Sequence, residues 1–402
     1  MALPGTQFTG GATVVERQRC PACQRAAMSV FMEIPDVPVH CNLLWPEREG
    51  AVAAPRGHIR LGFCAACGLV YNLAFNSDLM EYTQRYENSL HFSPRFQQYA
   101  RELAVRLVEK YHLRGKEIIE IGCGKGEFLA LLCEGERNRG WGFDPGAEER
   151  AADSSLTFIR DFYSDAYADY TADLICCRHV LEHIQQPREF VLGIRQAMGD
   201  RPGTAVYFEV PDFLYTLRDL GIWDIIYEHC SYFSGPSLTR LFQQTGFTVR
   251  EVYPAFGSQF LCLEASPRVG VDRRGTASIE DIEALSNLVS ALGEAYRSKV
   301  EMWNAKLSRL FEDGRRIVVW GAGSKGVTFL NTVKAAAAIE HVVDINPRKQ
   351  GMYVAGTGQR IVSVQFLGGY RPDTVVVMNA MYRDEIRHLL GKVGVLADVL
   401  TV

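Results

Sequence analysis

Four cysteines near the start of the chain have a spacing that suits one metal ion. Cys20 pairs with Cys23 and Cys64 pairs with Cys67, each as C-x-x-C. A C-x-x-C turn directs both sulfur atoms at one point, and two such turns complete a tetrahedral thiolate site for Zn²⁺. Two redox dithiols or four unrelated buried thiols are the alternatives, although no βαβ pattern surrounds either pair. We predict a structural zinc, because four sulfur ligands leave no open position for catalysis.

A glycine-rich run further along has the character of a ligand-binding loop. Gly122, Gly124 and Gly126 follow a predicted strand, Glu117–Ile121, and precede a helical stretch, Glu127–Cys133. Glycines at such a junction let the backbone turn tightly and approach a ligand closely. Dinucleotide enzymes carry similar loops, but their usual spacing is G-x-G-x-x-G, which this run does not have. A loop without any ligand is the remaining alternative.

Two acidic residues strengthen the prediction that this loop binds a ligand. Glu120 comes just before the glycines, where it can face the amino group of a bound amino-acid moiety. Asp144 ends the next predicted strand, Gly140–Phe143, where it can accept hydrogen bonds from both hydroxyls of a ribose. The loop and the two acids together predict a site for a nucleoside joined to an amino acid.

Two clusters contain the residue types that move protons. The first contains His179, Glu182 and His183, and the second contains Tyr227, Glu228 and His229. Transfer of a chemical group to a carbon nucleophile requires a base that removes a proton next to a carbonyl. Histidine is the usual base, because its pKa lies near working pH. His179 could instead cap or pack a helix, and the second cluster could be a half-buried surface turn.

A second glycine-rich loop lies in the C-terminal part of the chain. Gly323, Ser324 and Lys325 follow a predicted β-branched strand and open a helix, a position that favours a phosphate. Asp344 ends the next strand as a ribose ligand would, and Asn379 follows a later strand, Thr374–Met378. A second dinucleotide site of an oxidoreductase and a purely architectural unit are the alternatives.

The elements that position these residues follow from hydrophobic periodicity. Residues 1–90 contain short pieces broken by lone prolines, followed by a predicted helix, Pro94–Tyr111. Strands then alternate with helices, which is typical of a doubly wound parallel sheet. The clearest strands are Glu117–Ile121, Gly140–Phe143, Asp173–Cys177 and Ala205–Val210. A long helix, Ile279–Phe311, connects to a second α/β unit that begins at Arg316.

Length and charge limit the classes of function. A chain of 402 residues is long enough for two or three domains, and a net charge of −4 argues against a large nucleic-acid interface. We find no charged and then apolar leader and no uninterrupted apolar run of about 18 residues. Most of the 11 cysteines lie in apolar runs, as reduced thiols do. We therefore expect a cytoplasmic protein that binds neither membrane nor nucleic acid, as a monomer or weak homodimer.

The acids and the glycine run resemble those of class I S-adenosylmethionine-dependent methyltransferases. The resemblance implies that Gly122, Gly124 and Gly126 wrap the methionine part of the cofactor and that Asp144 holds its ribose. It also places Asp161 and Phe162 against the adenine. Arg178 and His179, after the fourth strand, would close over the methionine side.

The order of features along the whole chain resembles bacterial sugar C-methyltransferases that act on nucleotide-linked 4-keto deoxysugars. The most specific element is Asp344-Ile-Asn-Pro-Arg-Lys-Gln-Gly351. The resemblance implies three domains: a zinc-binding domain at 1–90, a Rossmann-like class I methyltransferase core at 91–275, and a linker helix with a Rossmann-like α/β domain at 276–402. The last would position the nucleotide diphosphate through Gly323, Ser324, Lys325, Asp344 and Asn379.

In that family the histidine of a Glu-His pair is the favoured base, which here is His229 with Glu228 beside it. His183 would lie near the sugar, and a tyrosine after the zinc domain, Tyr82 or preferably Tyr86, would face the substrate. The family commonly reads Tyr-His-Glu-His, whereas this chain reads Ile226-Tyr227-Glu228-His229. Either Tyr227 supplies the phenol from a shifted backbone, or the substrate differs.

The prediction is therefore a zinc-containing S-adenosylmethionine-dependent enzyme that methylates a carbon beside a keto group through an enolate. Methylation at oxygen or nitrogen of a sugar or small natural product is the alternative, since it needs no enolate. An RNA methyltransferase is disfavoured by the acidic balance, and a non-enzymatic scaffold by the intact acids of the cofactor loop.

Overall fold

The computed structural model describes residues 19–25, 28–80, 85–135, 137–147, 155–199, 201–269 and 279–402. Within these residues the strands are β1 Ser29–Pro38, β2 Arg56–Phe63, β3 Val70–Asn72, β4 Glu117–Ile121, β5 Arg139–Phe143, β6 Leu156–Ile159, β7 Leu174–Arg178, β8 Ala205–Pro211, β9 Ser231–Tyr232, β10 Phe247–Ala255, β11 Phe260–Pro267, β12 Ile317–Trp320, β13 His341–Val343, β14 Arg360–Val362, β15 Thr374–Val377 and β16 Asp398–Thr401. The helices are α1 Arg48–Val52, α2 Pro94–Lys110, α3 Glu127–Cys133, α4 Pro187–Met198, α5 Phe213–Arg218, α6 Gly235–Gln244, α7 Ile279–Glu312, α8 Ser324–Thr332, α9 Leu367–Tyr370 and α10 Arg383–Lys392.

The central sheet has seven strands in the order β10-β11-β8-β7-β4-β5-β6. The five from β8 to β6 are parallel, whereas β11 runs antiparallel to β8 and β10 antiparallel to β11. The predicted parallel sheet is thus confirmed in its middle, and an antiparallel hairpin extends one edge. In α/β sheets, ligands bind beyond the carboxyl ends of the parallel strands. Here that edge carries the first glycine loop after β4 and Asp144 after β5.

The N-terminal block contains more regular structure than its sequence pattern predicts. β1 and β2 pair antiparallel over most of their lengths, in a four-stranded sheet of order β1-β2-β3-β9. Two register shifts, between Val30 and Met32 and between Ile34 and Val37, interrupt β1. Each shift moves the following side chains to the opposite face, so the alternation that identifies a strand is lost from the sequence. The prediction that lone prolines break this block into short pieces was wrong for β1, which continues through Pro35.

One strand of that N-terminal sheet comes from far along the chain. β9 pairs with β3 through Val70 opposite Tyr232 and Tyr71 opposite Ser231. The main chain of Asn72 also donates to the carbonyl of Cys230 at 2.8 Å. The segment that follows His229 is therefore hydrogen-bonded into the sheet of the N-terminal unit.

The C-terminal unit is a five-stranded parallel sheet in the order β14-β13-β12-β15-β16. The connecting helix α7 begins at the predicted Ile279 and ends one residue beyond the predicted Phe311. Its buried side chains, among them Trp303 and Leu307, belong to a hydrophobic core that also contains residues of the N-terminal sheet and of β12. Among the described residues, no helix is both long and apolar enough to cross a membrane.

Candidate active site

A single cavity of about 760 Å³ lies where the central and C-terminal sheets present their glycine loops. The sequence-predicted residues that line it are Tyr86, Glu120, Gly122, Gly124, Asp144, Asp161, Phe162, Arg178, His179, His183, His229, Gly323, Ser324, Lys325, Asp344 and Asn379. Gly126, Tyr227 and Glu228 do not line it. Tyr82, the second tyrosine candidate, lies outside the described residues.

The first glycine loop is shaped by hydrogen bonds to the residues at the end of β5. The Gly122 N–H donates to the Phe143 carbonyl at 2.7 Å, and the Gly124 N–H donates to Asp144 Oδ2 at 3.0 Å. Asp144 Oδ1 accepts from the Gly146 N–H at 2.7 Å. Each carboxylate oxygen has a further lone pair, so Asp144 can also accept hydrogen bonds from ribose hydroxyls. Gly126 has a φ of 72° and caps α3.

Glu120 is the residue whose side chain most clearly suits a polar group of a ligand. Its side chain is 3% exposed, and burial raises the pKa of its carboxyl to about 8. Its Oε2 atom has no hydrogen-bond partner among the described residues. A buried carboxylate oxygen without a partner is costly, and an ammonium group of a ligand would satisfy it. The residues present therefore fit the amino-acid part of S-adenosylmethionine.

The adenine-side candidates lie at the mouth of the cavity. Asp161 accepts hydrogen bonds from the Phe162 N–H at 2.7 Å and from the Tyr167 hydroxyl at 2.6 Å, which fixes the turn after β6. The hydrogen bond from Tyr167 is the main reason that the pKa of Asp161 is lowered. Phe162 is 65% exposed although it is aromatic. An exposed aromatic ring beside a cavity offers a stacking surface to a flat ligand.

Arg178 and His179 share the buried carboxylate of Glu209, a residue that the sequence analysis did not identify. The Arg178 guanidinium donates to Glu209 Oε1 at 2.8 and 3.1 Å, and His179 Nε2 makes an ion-pair contact with the same oxygen at 2.9 Å. Burial alone would raise the pKa of Glu209, but Arg178 and His179 outweigh it and hold that pKa well below normal. Glu182 and Glu209 in turn overcome burial and raise the pKa of His179 to about 9. The sequence did contain a signal for Glu209, because it is an acidic residue towards the carboxyl end of the apolar strand β8.

His183 and His229 face each other, with ring centroids 4.9 Å apart. His183 Nδ1 lies 2.9 Å from the backbone carbonyl of Glu228, so this nitrogen must be the donor and a neutral ring presents Nε2 as the acceptor. Burial, and then the neighbouring His183, lower the pKa of His229 to about 4. The His229 ring is therefore a neutral base at ordinary pH. Glu182, which is 2% exposed, places a carboxylate oxygen within 4.8 Å of a nitrogen of each ring.

Tyr227 and Glu228 point away from the cavity. The Tyr227 hydroxyl accepts from the Asn76 N–H at 2.9 Å, and its ring packs against Gly57, where a Cβ would collide with it. Glu228 is fully buried and accepts from the Cys41 N–H at 3.2 Å. The structure therefore does not bring Tyr227 to the position of a substrate phenol. Ile226 lines the cavity instead.

The second glycine loop repeats the first in four hydrogen bonds. The Gly321 N–H donates to the Val343 carbonyl at 2.8 Å, as Gly122 does to Phe143. Asp344 Oδ2 accepts from the Ala322 N–H at 2.8 Å and Oδ1 from the Asn346 N–H at 2.8 Å, which matches Asp144. The Asp344 N–H donates to the Val362 carbonyl and the Asp144 N–H to that of Ile159, both at 3.1 Å. The two cradles have the same construction and open into the same cavity.

Lys325 and Asn379 form a polar network across the two α/β units. Lys325 Nζ lies 3.0 Å from Asp224 Oδ2 and donates to Gln259 Oε1 at 2.8 Å. The Asn379 amide exchanges two hydrogen bonds with the Gln259 amide, at 2.9 and 3.0 Å. The charge of Lys325 is thus already matched by the carboxylate of Asp224. The sequence analysis predicted Lys325 as a phosphate-binding residue and did not predict this ion pair.

The four predicted metal-binding cysteines meet in the N-terminal unit. Their sulfur atoms all lie within 4.8 Å of one another, and two of the pairs, Cys20 with Cys67 and Cys23 with Cys64, are 3.6 Å apart. Both of these contacts join one C-x-x-C turn to the other. Sulfurs at about 2.3 Å from a tetrahedral zinc would lie about 3.8 Å apart, whereas a disulfide requires about 2 Å. The arrangement fits a shared ion better than a redox dithiol.

Two domain families and one curated relative match large parts of the chain. Residues 92–252 match a methyltransferase domain family, and residues 281–394 match the C-methyltransferase C-terminal domain family. The C-methyltransferase NovU of Streptomyces niveus is 26% identical over 315 residues, which cover 72% of this chain and 72% of that protein. The chain is an S-adenosylmethionine-dependent methyltransferase. Its C-terminal domain match and this relative support, more narrowly, a C-methyltransferase with a class I core.

Solved structures also resemble part of the chain. Magnesium protoporphyrin IX methyltransferase (ChlM) from Synechocystis PCC 6803 is 18% identical, with a TM-score of 0.34 over 43% of this chain and 84% of that one. The 1,6-didemethyltoxoflavin-N1-methyltransferase of Burkholderia thailandensis is 16% identical, with a TM-score of 0.33 over 43% of this chain and 80% of that one. These scores are low, so the assignment rests on the domain matches and on NovU.

Proposed function

We propose that the enzyme methylates a carbon next to the keto group of a nucleotide-linked deoxysugar. The observation that carries this proposal is the pair of matched cradles, at Asp144 and at Asp344, which open into one cavity together with His229. The first cradle suits the cofactor, and the second suits another nucleoside. A substrate that contains a nucleotide would explain why the chain has two such cradles.

His229 is the proposed base. Its neutral ring takes the proton from the carbon next to the keto group, and the electron pair left on that carbon delocalises onto the keto oxygen as an enolate. S-adenosylmethionine, when bound, supplies the methyl group to that carbon. Tyr86 lines the cavity, as do Tyr163 and Tyr382, and it is the tyrosine that the family resemblance favours. We assign its hydroxyl to the enolate oxygen in place of Tyr227. Glu182 lies close enough to stabilise the positive charge that His229 acquires.

Methylation at oxygen or nitrogen is the second candidate, and one observation favours it. Ile226 presents an apolar side chain to the cavity at the position where the resembled family has a tyrosine. A heteroatom acceptor needs no enolate and would not require that hydroxyl.

Solvent exchange distinguishes the two candidates. The enzyme is incubated in D₂O with a panel of nucleotide-linked 4-keto deoxysugars and S-adenosylhomocysteine, and deuterium incorporation is followed by NMR. We expect exchange of the proton next to the keto group, and methyl transfer to the same carbon when S-adenosylmethionine is supplied. Methyl transfer to oxygen or nitrogen without any exchange would overturn the proposal.

We also propose that the cysteine cluster of Cys20, Cys23, Cys64 and Cys67 binds one structural zinc. The close approach of all four sulfurs supports this, as does the local geometry of the second turn. The Gly68 N–H donates to the Cys64 carbonyl at 2.8 Å, and Gly68 has a φ of 80°, which bends the chain back towards the cluster. Four thiolates close the coordination shell, so the ion has no role in the chemical step.

Asp144→Ala should weaken binding of S-adenosylhomocysteine by about 1–3 kcal/mol, because the ribose hydroxyls lose a half-buried carboxylate as their acceptor. Isothermal titration calorimetry measures the change. Asp344→Ala is the matched control, since it removes the equivalent carboxylate from the second cradle. Cofactor affinity that falls in Asp344→Ala but not in Asp144→Ala would exchange the roles of the two cradles.

The pH profile reports on His229. A histidine acts as a base only when neutral, so activity should persist above its pKa and disappear as the pH falls below it. Because the pKa of His229 is lowered to about 4, kcat/KM should hold its value through pH 6.5, where an ordinary histidine is half protonated. An acid limb centred near 6.5 would contradict the assignment.

A further inference from the structure

Lys349 is a buried cation without a counter-ion. It is 6% exposed and lines the cavity. Its Nζ donates to Asn42 Oδ1 at 3.1 Å and to the Ala322 carbonyl at 3.3 Å, both of them neutral acceptors. Among the residues that the structure describes, no carboxylate pairs with it. Burying a charge without an opposite charge is costly, and neutral acceptors offset only part of that cost.

The position of Lys349 makes its charge still less favourable without a ligand. A Cβ on Gly323 would lie 3.9 Å from Lys349 Nζ, so the ammonium group sits beside the N-terminus of α8. That end of a helix carries a partial positive charge and unpaired N–H groups. Two positive features therefore converge on one part of the cavity wall, and an anion between them would satisfy both.

We propose that Lys349 and the N-terminus of α8 bind the diphosphate of the substrate, and that Lys325 does not. This inference rests on the proposed function and assigns one part of the substrate to one part of the cavity. Lys325 projects from the same loop, but Asp224 neutralises it and its amine is directed towards Gln259. The diphosphate then lies between the Asp344 cradle, which holds the nucleoside, and the network of Lys325 and Asp224, which faces the sugar.

Binding of nucleoside diphosphates tests this assignment. The 5′-diphosphates of adenosine, guanosine, cytidine, uridine and thymidine, and the five free nucleosides, are titrated calorimetrically into wild type, Lys349→Gln and Lys325→Gln. We expect Lys349→Gln to weaken the best diphosphate by about 10- to 100-fold, as for loss of one charge-assisted hydrogen bond, and to leave its nucleoside unchanged. Lys325→Gln, the matched control, should change diphosphate affinity by less than about threefold.

Each outcome separates this inference from the proposed function. Wild type that binds none of the diphosphates contradicts the nucleotide-linked substrate itself. Wild type that binds one, with Lys349→Gln unaltered or Lys325→Gln equally impaired, overturns only the assignment of Lys349. Binding of S-adenosylhomocysteine shows whether Lys349→Gln is folded. If this variant does not fold, reductive methylation of the lysines of wild type is measured with and without pyrophosphate. Pyrophosphate should protect Lys349 from methylation and should not protect Lys325. The reverse pattern would overturn the proposal.

Discussion

His229→Ala should lose both methyl transfer and solvent exchange, by at least the 10²–10⁴-fold that general base catalysis contributes. The His229 ring lines the cavity, and burial together with His183 lowers its pKa, so it is neutral and able to take the proton. Single-turnover methyl transfer and deuterium incorporation are measured on the same preparation. Both rates should fall together, because without the base no carbon nucleophile forms.

His388→Ala is the matched control. This histidine is exposed on α10 and does not line the cavity, so its removal should leave both rates at the wild-type value. Binding of S-adenosylhomocysteine to His229→Ala verifies that the cofactor site is intact. Methyl transfer by His229→Ala at near the wild-type rate would rule out this base and make heteroatom methylation the better explanation.

Cys64→Ser should release the bound metal and unfold the N-terminal unit. Structural zinc binding contributes on the order of 10 kcal/mol to the folding of small metal-binding units, far more than this loop-linked sheet gains from any one contact. We expect about one zinc per chain in wild type by elemental analysis, and a large loss in the variant. Hydrogen exchange should show that β1, β2 and β3 lose protection.

The same variant should also lose activity, although the metal takes no part in chemistry. β9 pairs with β3, and Glu228 accepts from the Cys41 N–H, so the chain on both sides of His229 depends on the folded N-terminal unit. Cys133→Ala is the matched control, because Cys133 is buried in α3 outside the cluster. Full metal retention in Cys64→Ser would contradict the proposed site.

The sequence predicted the parts of the molecule in which the position of a residue along the chain determines where its side chain points. The loop of Gly122 and Gly124 lies at the end of a parallel strand, and Asp144 lies at the end of its neighbour, so topology alone brings them together. The long helix α7 could be predicted because its periodicity is uninterrupted. In such elements the side-chain direction follows from position along the chain.

Prediction failed where the direction of a side chain depends on irregular backbone, or where its partner lies far away in the sequence. Tyr227 and Glu228 lie in a turn between a 3₁₀ helix and β9, where spacing does not determine which side chain enters the cavity. Ile226 lines the cavity instead, together with the predicted His229. Likewise, nothing near Lys325 in the chain indicates that Asp224 neutralises it, because the pair forms only when the two α/β units meet.

The pairing of β9 with the sheet of the N-terminal unit has a consequence for protein engineering. A chimaera made by exchanging the N-terminal unit with that of a relative would bring β3 from one parent and β9 from the other. The pairing of Tyr71 with Ser231, and the carboxylate of Glu228 on the Cys41 N–H, would then join residues that never evolved together. A functional graft should therefore transplant two stretches as one cassette, the N-terminal unit and the segment from Ile226 to Phe233.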